Sequence, residues 1–432
     1  MLERRVVVTG LGVECPLAGN LSDYEQRLNN GDSSIIELRG EYRWLDNYPI
    51  HVGSLMPLDY QIPDNVLSGI DKKEARRIRK MPLGVRMGLS AADQAVRDSG
   101  FLDLPNINER TGVSMGVGFG NAGIMESQSK AVVRHGMGAG DRFFMLKVIP
   151  NAAPGVIAGF YGFHSTDASS IASACSSGSS AIKYGFEQIQ LGNADIMVCG
   201  GVMESSTPVI FSGFNGVTAL SLNEDPETAS RPFDRDRDGF VLGEGSGVII
   251  LEELEHAKKR GVRIYAHLLG CYANNNANHS TQPDLKYQTL AIKRALSNAG
   301  VDPEDIDYIN CHGTSTRLND PFETQSIKDA LGEHAREVLL NSTKSLIGHT
   351  ISGAGSLETI ATILTLNNGV VHPTRGLFNR DVDYVFENGN TEIPMPCDLQ
   401  YCNEAIKGQI EVALKNSFGF YGSNVVLVLG KP

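Results

Sequence analysis

Apolar positions fall into two patterns along this chain: short continuous runs that stop at glycine, and longer stretches where they recur at helical spacing. Arg5-Val-Val-Val-Thr-Gly-Leu-Gly-Val13 predicts a buried strand and a glycine turn, and Val85 to Gly100 predicts a core-facing helix ending at its glycine. Further runs predict strands at Thr111–Gly120, Asp195–Gly201, Val248–Glu252, Ile306–Cys311 and from Val338, with two strands joined by a Gly/aromatic turn between Glu411 and Leu429. Helical spacing marks Ala181–Leu191, a polar helix over Glu253–Arg260, and a helix from about Ser352 that contains Glu358. Such alternation predicts α/β layers, best divided into residues 1–255 and 256–432. The irregular stretch from Gly40 to Ile70 holds Trp44, the only tryptophan, and reads as a surface excursion packed by one aromatic.

Ser170-Ile-Ala-Ser-Ala-Cys175-Ser-Ser-Gly-Ser-Ser180 leads from one apolar run into a helix. A sharp turn there holds the sulfur at a helix N-terminus, where free N–H groups and the dipole favour thiolate, and a serine can cap the helix. The same residues also fit a buried core cysteine, because a nucleophile needs a base from elsewhere. Two other strand ends bear histidine: His312-Gly-Thr314-Ser-Thr316 follows Ile306–Cys311, and Lys344-Ser-Leu-Ile-Gly-His349 follows the run at Val338. In open α/β layers chemistry gathers at strand ends, so Cys175, His312 and His349 are candidates for one site.

Length and composition narrow the classes. The 432 residues, 41% hydrophobic and 20% charged, suit a globular protein with a substantial core. No apolar stretch approaches the roughly 20 residues that cross a bilayer, and Met1-Leu-Glu-Arg-Arg runs into a strand rather than a cleavable leader, so the cytoplasm is the expected location. A net charge of −12 excludes nucleic acid as a general partner. Seven scattered cysteines without a C-x-x-C pair predict reduced thiols and no metal.

Other motifs keep two meanings. Asp71 to Lys80 packs six cations into ten residues, either a solvated helix face or a dock for something anionic. Gly116, Gly118 and Gly120 lack the G-x-G-x-x-G order and fit a close backbone approach better than a dinucleotide site. Arg231-Pro-Phe-Asp-Arg-Asp-Arg-Asp238-Gly-Phe does not complete a calcium loop. The Asn-rich loop Asn274 to Pro283, with Thr281, is either a surface turn or a set of ligand-facing groups. Asp320-Pro321-Phe-Glu323 has the capping-box arrangement, so capping is the structural meaning of both acids.

Ser-Ala-Cys175-Ser-Ser-Gly, Ser-Arg-Pro-Phe-Asp-Arg-Asp-Arg-Asp-Gly-Phe, His312-Gly-Thr-Ser-Thr and Ser-Thr-Lys344-Ser-Leu-Ile-Gly-His349, in this order, resemble the elongating β-ketoacyl-acyl carrier protein synthases. The resemblance spans nearly the whole chain and implies the thiolase-like fold: two similar βαβαβαββ halves in five αβαβα layers, although no internal repeat is legible from residue identity. It implies decarboxylative condensation of a malonyl thioester with an acyl group on Cys175, with His312 and His349 holding the enolate oxygen. Backbone N–H groups of Cys175 and Phe420 would form an oxyanion hole, Lys344 would tune the histidines, and Asp320, Glu323 and Glu358 would be structural supports. Thr314 and Thr316 match positions that bind the phosphopantetheine arm, which the acyl carrier protein brings, so no cofactor of its own is expected. Arg76, Arg77, Arg79 and Lys80 would face the acidic carrier. Phe119 lies where the family limits acyl-pocket depth, often across a dimer interface, and either a homodimer or a heterodimer with a paralogue fits.

The chain also departs from the family. Tyr421 stands where a glycine usually follows the gate phenylalanine, Cys311 replaces a frequent alanine, Arg317-Leu-Asn319 replaces Pro-x-Gly, and Thr218 replaces a basic carrier contact. Phe119 and Tyr421 together predict short, planar or otherwise specialised acyl chains. The alternative is a non-elongating partner subunit like the chain-length factors, against which Cys175 and both histidines speak. A cysteine hydrolase would need neither a second histidine nor the Lys344 loop.

Overall fold

The computed structural model describes residues 4–46, 48–388 and 391–432; the first three residues of the N-terminal stretch lie outside this range. Ten strands form its frame: β1 (Val6–Glu14), β2 (Thr111–Val117), β3 (Ser169–Ile171), β4 (Ile196–Met203), β5 (Gly245–Glu253), β6 (Ala266–Asn275), β7 (Tyr308–Asn310), β8 (Leu339–Asn341), β9 (Val412–Gly419) and β10 (Ser423–Gly430). They hydrogen-bond in the order β8-β7-β9-β10-β6-β1-β5-β4-β2-β3, with a two-residue strand at Gln400–Tyr401 added beside β8.

This order contains a repeat that residue identity hides. Numbered within its own half, each set of five reads 3-2-4-5-1, with strand 5 antiparallel to its two neighbours and the other pairs parallel. The sheets meet where β1 pairs antiparallel with β6 over Val6–Val8. Burial on both faces explains the continuous apolar runs, since every residue of β1, β2 and β4 is buried.

Six helices complete the frame: α1 (Lys72–Arg79), α2 (Leu83–Ser99), α3 (Ser177–Gln190), α4 (Leu285–Ala299), α5 (Asn319–Leu331) and α6 (Ala354–Asn368). α2 covers the outer face of the first sheet and α4 that of the second, while α3 and α6 lie between the sheets, giving the five layers expected. Every residue of α6 from Ala354 to Leu366 is buried, so it has no solvent face. Its threonines satisfy their hydroxyls internally: Thr359 Oγ1 donates to the Gly355 carbonyl at 2.6 Å and Thr362 Oγ1 to that of Glu358 at 2.8 Å.

Small residues let these layers meet. A Cβ on Gly116 would lie 2.5 Å from Gly178 N, and one on Gly178 would lie 2.9 Å from Ser356 N, so both positions require glycine for backbone approach. The glycine run at the end of β2 therefore has the packing meaning. The expected seam at 255/256 falls within the short helix Leu254–Arg260. The Gly40–Ile70 stretch is more than a surface excursion: Tyr42, Leu45, Ile50 and Leu55 are buried in one apolar cluster with Cys175, and Trp44 packs edge-on against Phe211 at 5.3 Å.

Candidate active site

Cys175 stands on an elbow. β3 ends at Ile171, Ala174–Ser176 forms one tight turn, and α3 begins at Ser177. The serines brace the elbow instead of capping the helix, contrary to expectation. Ser177 Oγ donates to the Ala174 carbonyl at 2.6 Å and accepts from Ser173 N at 2.9 Å, while Ser176 Oγ donates to the Ser173 carbonyl at 2.7 Å. Ala174 has φ +51°, a left-handed conformation that Ser315 (+64°), Ile351 (+41°) and Tyr421 (+59°) share on the other site loops. Backbone strain of this kind persists where the surrounding structure enforces it. Burial pushes the Cys175 thiol up to about 11, against the lowering influence of Lys344 and the Phe420 N–H. The resting group is a thiol, so burial outweighs the helix-end effect read from sequence.

The three strand-end loops converge. One ligating atom from each of Cys175, His312 and His349 lies within 4.8 Å of the others, all three residues are buried, and all line a cavity of about 370 Å³. The imidazole rings are 5.5 Å apart and nearly perpendicular. His349 Nδ1 accepts from Ile351 N at 3.2 Å, so its proton sits on Nε2, a buried atom with no protein partner. His312 Nδ1 lies 3.3 Å from the Lys344 ammonium, which can only donate, so this ring also carries its proton on Nε2. Burial first, then Lys344, holds both histidines well below 6.5. Both are neutral donors at neutral pH. A cysteine and two histidines at this spacing resemble part of a zinc site, but the adjacent ammonium and the Nε2–H tautomers oppose a cation there.

Lys344 is itself buried, donating to the His312 carbonyl at 2.5 Å and pairing with Glu358 Oε1 at 2.5 Å. Asp320 and Glu323 are supports, but not caps. α5 begins two residues earlier than that box implies, at Asn319, and its cap position, Leu318, makes no side-chain hydrogen bond. The two carboxylates instead grip the preceding loop: Glu323 accepts from His312 N and Gly313 N at 2.8 Å each, and Asp320 accepts from Phe233 N, Thr314 N and Ser315 N at 2.9–3.1 Å. Burial raises both acids above the ordinary carboxylate range.

Thr281, Thr314, Thr316 and Phe420 line the cavity, the two loop threonines 2.9 Å apart through their hydroxyls. Asn276 and Ser280 line it too, giving the Asn-rich loop its ligand-facing meaning. Tyr421 does not line it: the side chain is 75% exposed, while its N–H donates to the Ser280 carbonyl at 2.6 Å. Phe119 also lies outside the lining, half exposed, against Phe214 at 5.9 Å, and Phe214 lies 6.4 Å from Phe420. In α1, Arg77 pairs with Glu74 and Arg79 with Asp64, whereas Arg76 and Lys80 are exposed with no carboxylate within reach among the described residues.

Three side chains here were not singled out from sequence. Phe240 packs against the His349 ring at 5.0 Å. Arg237, fully buried, pairs with Asp381 at 2.5 Å and donates to the Thr316 carbonyl at 2.8 Å, giving the Arg231–Phe240 motif a bracing role. Lys415 pairs with Glu358 Oε2 at 2.7 Å. A lysine directly after the apolar run Val412-Ala-Leu414 of β9 was the available signal.

Residues 3–257 match the family described as Beta-ketoacyl synthase, N-terminal domain, and residues 265–378 match Beta-ketoacyl synthase, C-terminal domain. The chain is 38% identical to 3-oxoacyl-[acyl-carrier-protein] synthase 2 of Coxiella burnetii, covering 100% of this chain and 99% of that one. It is also 38% identical to the protein of that name from Synechocystis, covering 99% and 98%. Among solved structures, the AntDE:AntF complex, a type II ketosynthase with its acyl-carrier protein, matches at 30% identity and TM-score 0.86 over 100% of both chains. A beta-ketoacyl synthase from Burkholderia phymatum matches at 28% identity and TM-score 0.87 over 99% of this chain and 100% of the other. The likeness runs through both halves and through the loops that bring one thiol and two imidazoles together, and on it this chain belongs to the beta-ketoacyl synthase family.

Proposed function

We propose that Cys175, His312 and His349 perform the decarboxylative condensation of a malonyl thioester with a cysteine-bound acyl group. The protein is an acyltransferase of the β-ketoacyl synthase class, and an acyl carrier protein is its partner. Cys175 Sγ attacks the acyl thioester carbonyl, and the carrier's pantetheine thiol leaves with the proton. Phe420 N–H, beside the sulfur, and Cys175 N–H receive the oxyanion. The malonyl thioester oxygen then lies between two neutral Nε2–H donors. As the bond to the carboxylate breaks and CO2 leaves, the electron pair passes to that oxygen as an enolate. Its carbon attacks the acyl carbonyl, the tetrahedral oxyanion collapses with cleavage of the acyl C–S bond, and the departing Cys175 thiolate takes up a proton from water to restore the thiol. Uncharged donors aimed at a developing anion stabilise it more than the ground state.

The approach of the three reactive groups to within 4.8 Å carries this reading. Incubation with acyl-carrier and malonyl-carrier tests it: an acyl adduct on Cys175 by intact mass spectrometry, released CO2 and a β-ketoacyl product are expected. Release of free acid, or no adduct, overturns it.

Thr314 and Thr316 hold the pantetheine arm, which is the carrier's, and the protein needs no cofactor of its own. Arg76, Arg77, Arg79 and Lys80 on α1 meet the carrier's acidic face. Residues 1–255 and 256–432 are its two units. A second copy covers the exposed apolar side chains Phe119, Met125, Val133, Met137, Phe143 and Met145, with a paralogue as the other candidate. No helix among the described residues is long and apolar enough to cross a membrane, and the cytoplasm is the location we propose. The acyl chain is short, planar or otherwise specialised, by way of Phe119, which packs on Phe214 behind Phe420, and the left-handed Tyr421 next to Phe420, although neither lines the cavity. Efficient loading of a saturated sixteen-carbon chain would overturn that preference.

A further inference from the structure

Lys415 takes no part in the steps above, yet it lies fully buried within β9, where an unpaired ammonium is not tolerated. Its Nζ is 2.7 Å from Glu358 Oε2 and 3.2 Å from Ser417 Oγ, and it donates to the Asn416 carbonyl. Glu358 Oε1 meets Lys344 Nζ at 2.5 Å, and that ammonium lies 3.3 Å from His312 Nδ1. One buried carboxylate is thus clamped between two lysine Nζ atoms; burial lowers the proton affinity of Lys415, and the Glu358 and Glu323 carboxylates oppose that. The neighbouring residue extends the same support: Asn416 Nδ2 donates to Glu323 Oε1 at 3.1 Å, and Glu323 holds the His312 loop. β9 then continues to Phe418, which packs on the His312 ring at 5.9 Å.

We propose that Lys415 is a positioning residue of the condensing centre, fixing Glu358 against Lys344 and adding a buried positive charge that keeps His312 and His349 neutral beside the enolate. The charged and titratable groups facing this cluster are Glu358 on α6, Lys344 on its loop, Glu323 on α5, Cys175 on the elbow, and Tyr24, Cys311, His312, His349 and His372. After burial and Lys344, Lys415 is a further cause of the low affinity of both imidazoles for a proton. The inference rests on the condensing reading of the site.

The test is malonyl-carrier decarboxylation against pH for the unaltered enzyme, Lys415→Met and Lys415→Arg. Lys415→Met is expected to lower kcat about tenfold with KM unchanged and to move the acid limb upward by about one pH unit, the size of one buried charge acting on a neighbour. Lys415→Arg should keep the limb in place. A folded Lys415→Met enzyme with an unshifted limb overturns the proposal. Should that variant not fold, the unaltered enzyme still decides, because nitrogen NMR shifts should report both imidazoles still neutral when the pH is taken below 6.5. Titration of either at the ordinary 6.5 overturns the proposal. An unaltered enzyme that releases no CO2 would instead defeat the condensing reading itself.

Discussion

At Cys175 two influences oppose each other, and burial wins. The thiol is held at about 11 despite Lys344 and the Phe420 N–H, so the thiolate is a small fraction throughout the neutral range. Because the pKa is raised, that fraction grows with pH until about 11. Alkylation of Cys175 by iodoacetamide should therefore rise about tenfold per pH unit between roughly pH 7 and 10. A plateau near neutrality, read by peptide mass spectrometry, would contradict this. The histidines move the other way: burial and Lys344 hold them below 6.5, so lowering the pH through 6.5 leaves them neutral and the decarboxylation rate unchanged. Decline begins only at lower pH, where an ordinary imidazole would already be protonated.

At the scale of elements, α5 works through the N-terminal part that carries Asp320 and Glu323. Glu323 supplies the acceptors for two buried N–H groups, and each group stranded in a buried place costs about 1–3 kcal/mol. Glu323→Ala should lower stability by about 2–4 kcal/mol in denaturant unfolding and suppress decarboxylation. Cys175 alkylation, which depends on a different loop, should persist. On α1, Asp71 caps the helix by accepting from Lys73 N at 2.9 Å, so the cations are presented by a fixed scaffold. With Arg77 and Arg79 already paired, Arg76→Ala and Lys80→Ala should weaken carrier binding by several-fold each. Arg77→Ala should weaken it less. Equal effects in a binding titration would mean that the ion pairs do not discriminate among these cations.

For the whole molecule, the exposed apolar side chains are the ground for the dimer proposed above. Val133 is 83% and Met137 90% exposed, more than a lone soluble chain needs to leave in water. Light scattering should find a dimer at micromolar concentration, and Val133→Glu with Met137→Glu should yield monomer while leaving the α/β circular dichroism intact. A monomeric unaltered protein would remove this reading. The duplicated 3-2-4-5-1 order also explains why chemistry lies at the seam. Cys175 comes from the first sheet's connection into the central layer, and His312, His349 and Phe420 from ends of the second sheet, so neither half holds the site alone.

The sequence by itself determined most of the strands, though not β6, and with them the glycine stops, the helix after Cys175 and the loops bearing His312 and His349, because local periodicity and turn chemistry act over a few residues. It left the elbow serines, Asp320 and Glu323 with the wrong local partners, since Ser177 and Glu323 bond to backbone on a preceding segment rather than to their own helices. Only the tertiary structure decided which groups are neutral, which carboxylate faces which ammonium, and that Lys415 belongs to the site. Those are consequences of burial and of contacts between segments distant in the chain, such as Lys415 with Glu358, and local spacing carries no record of them.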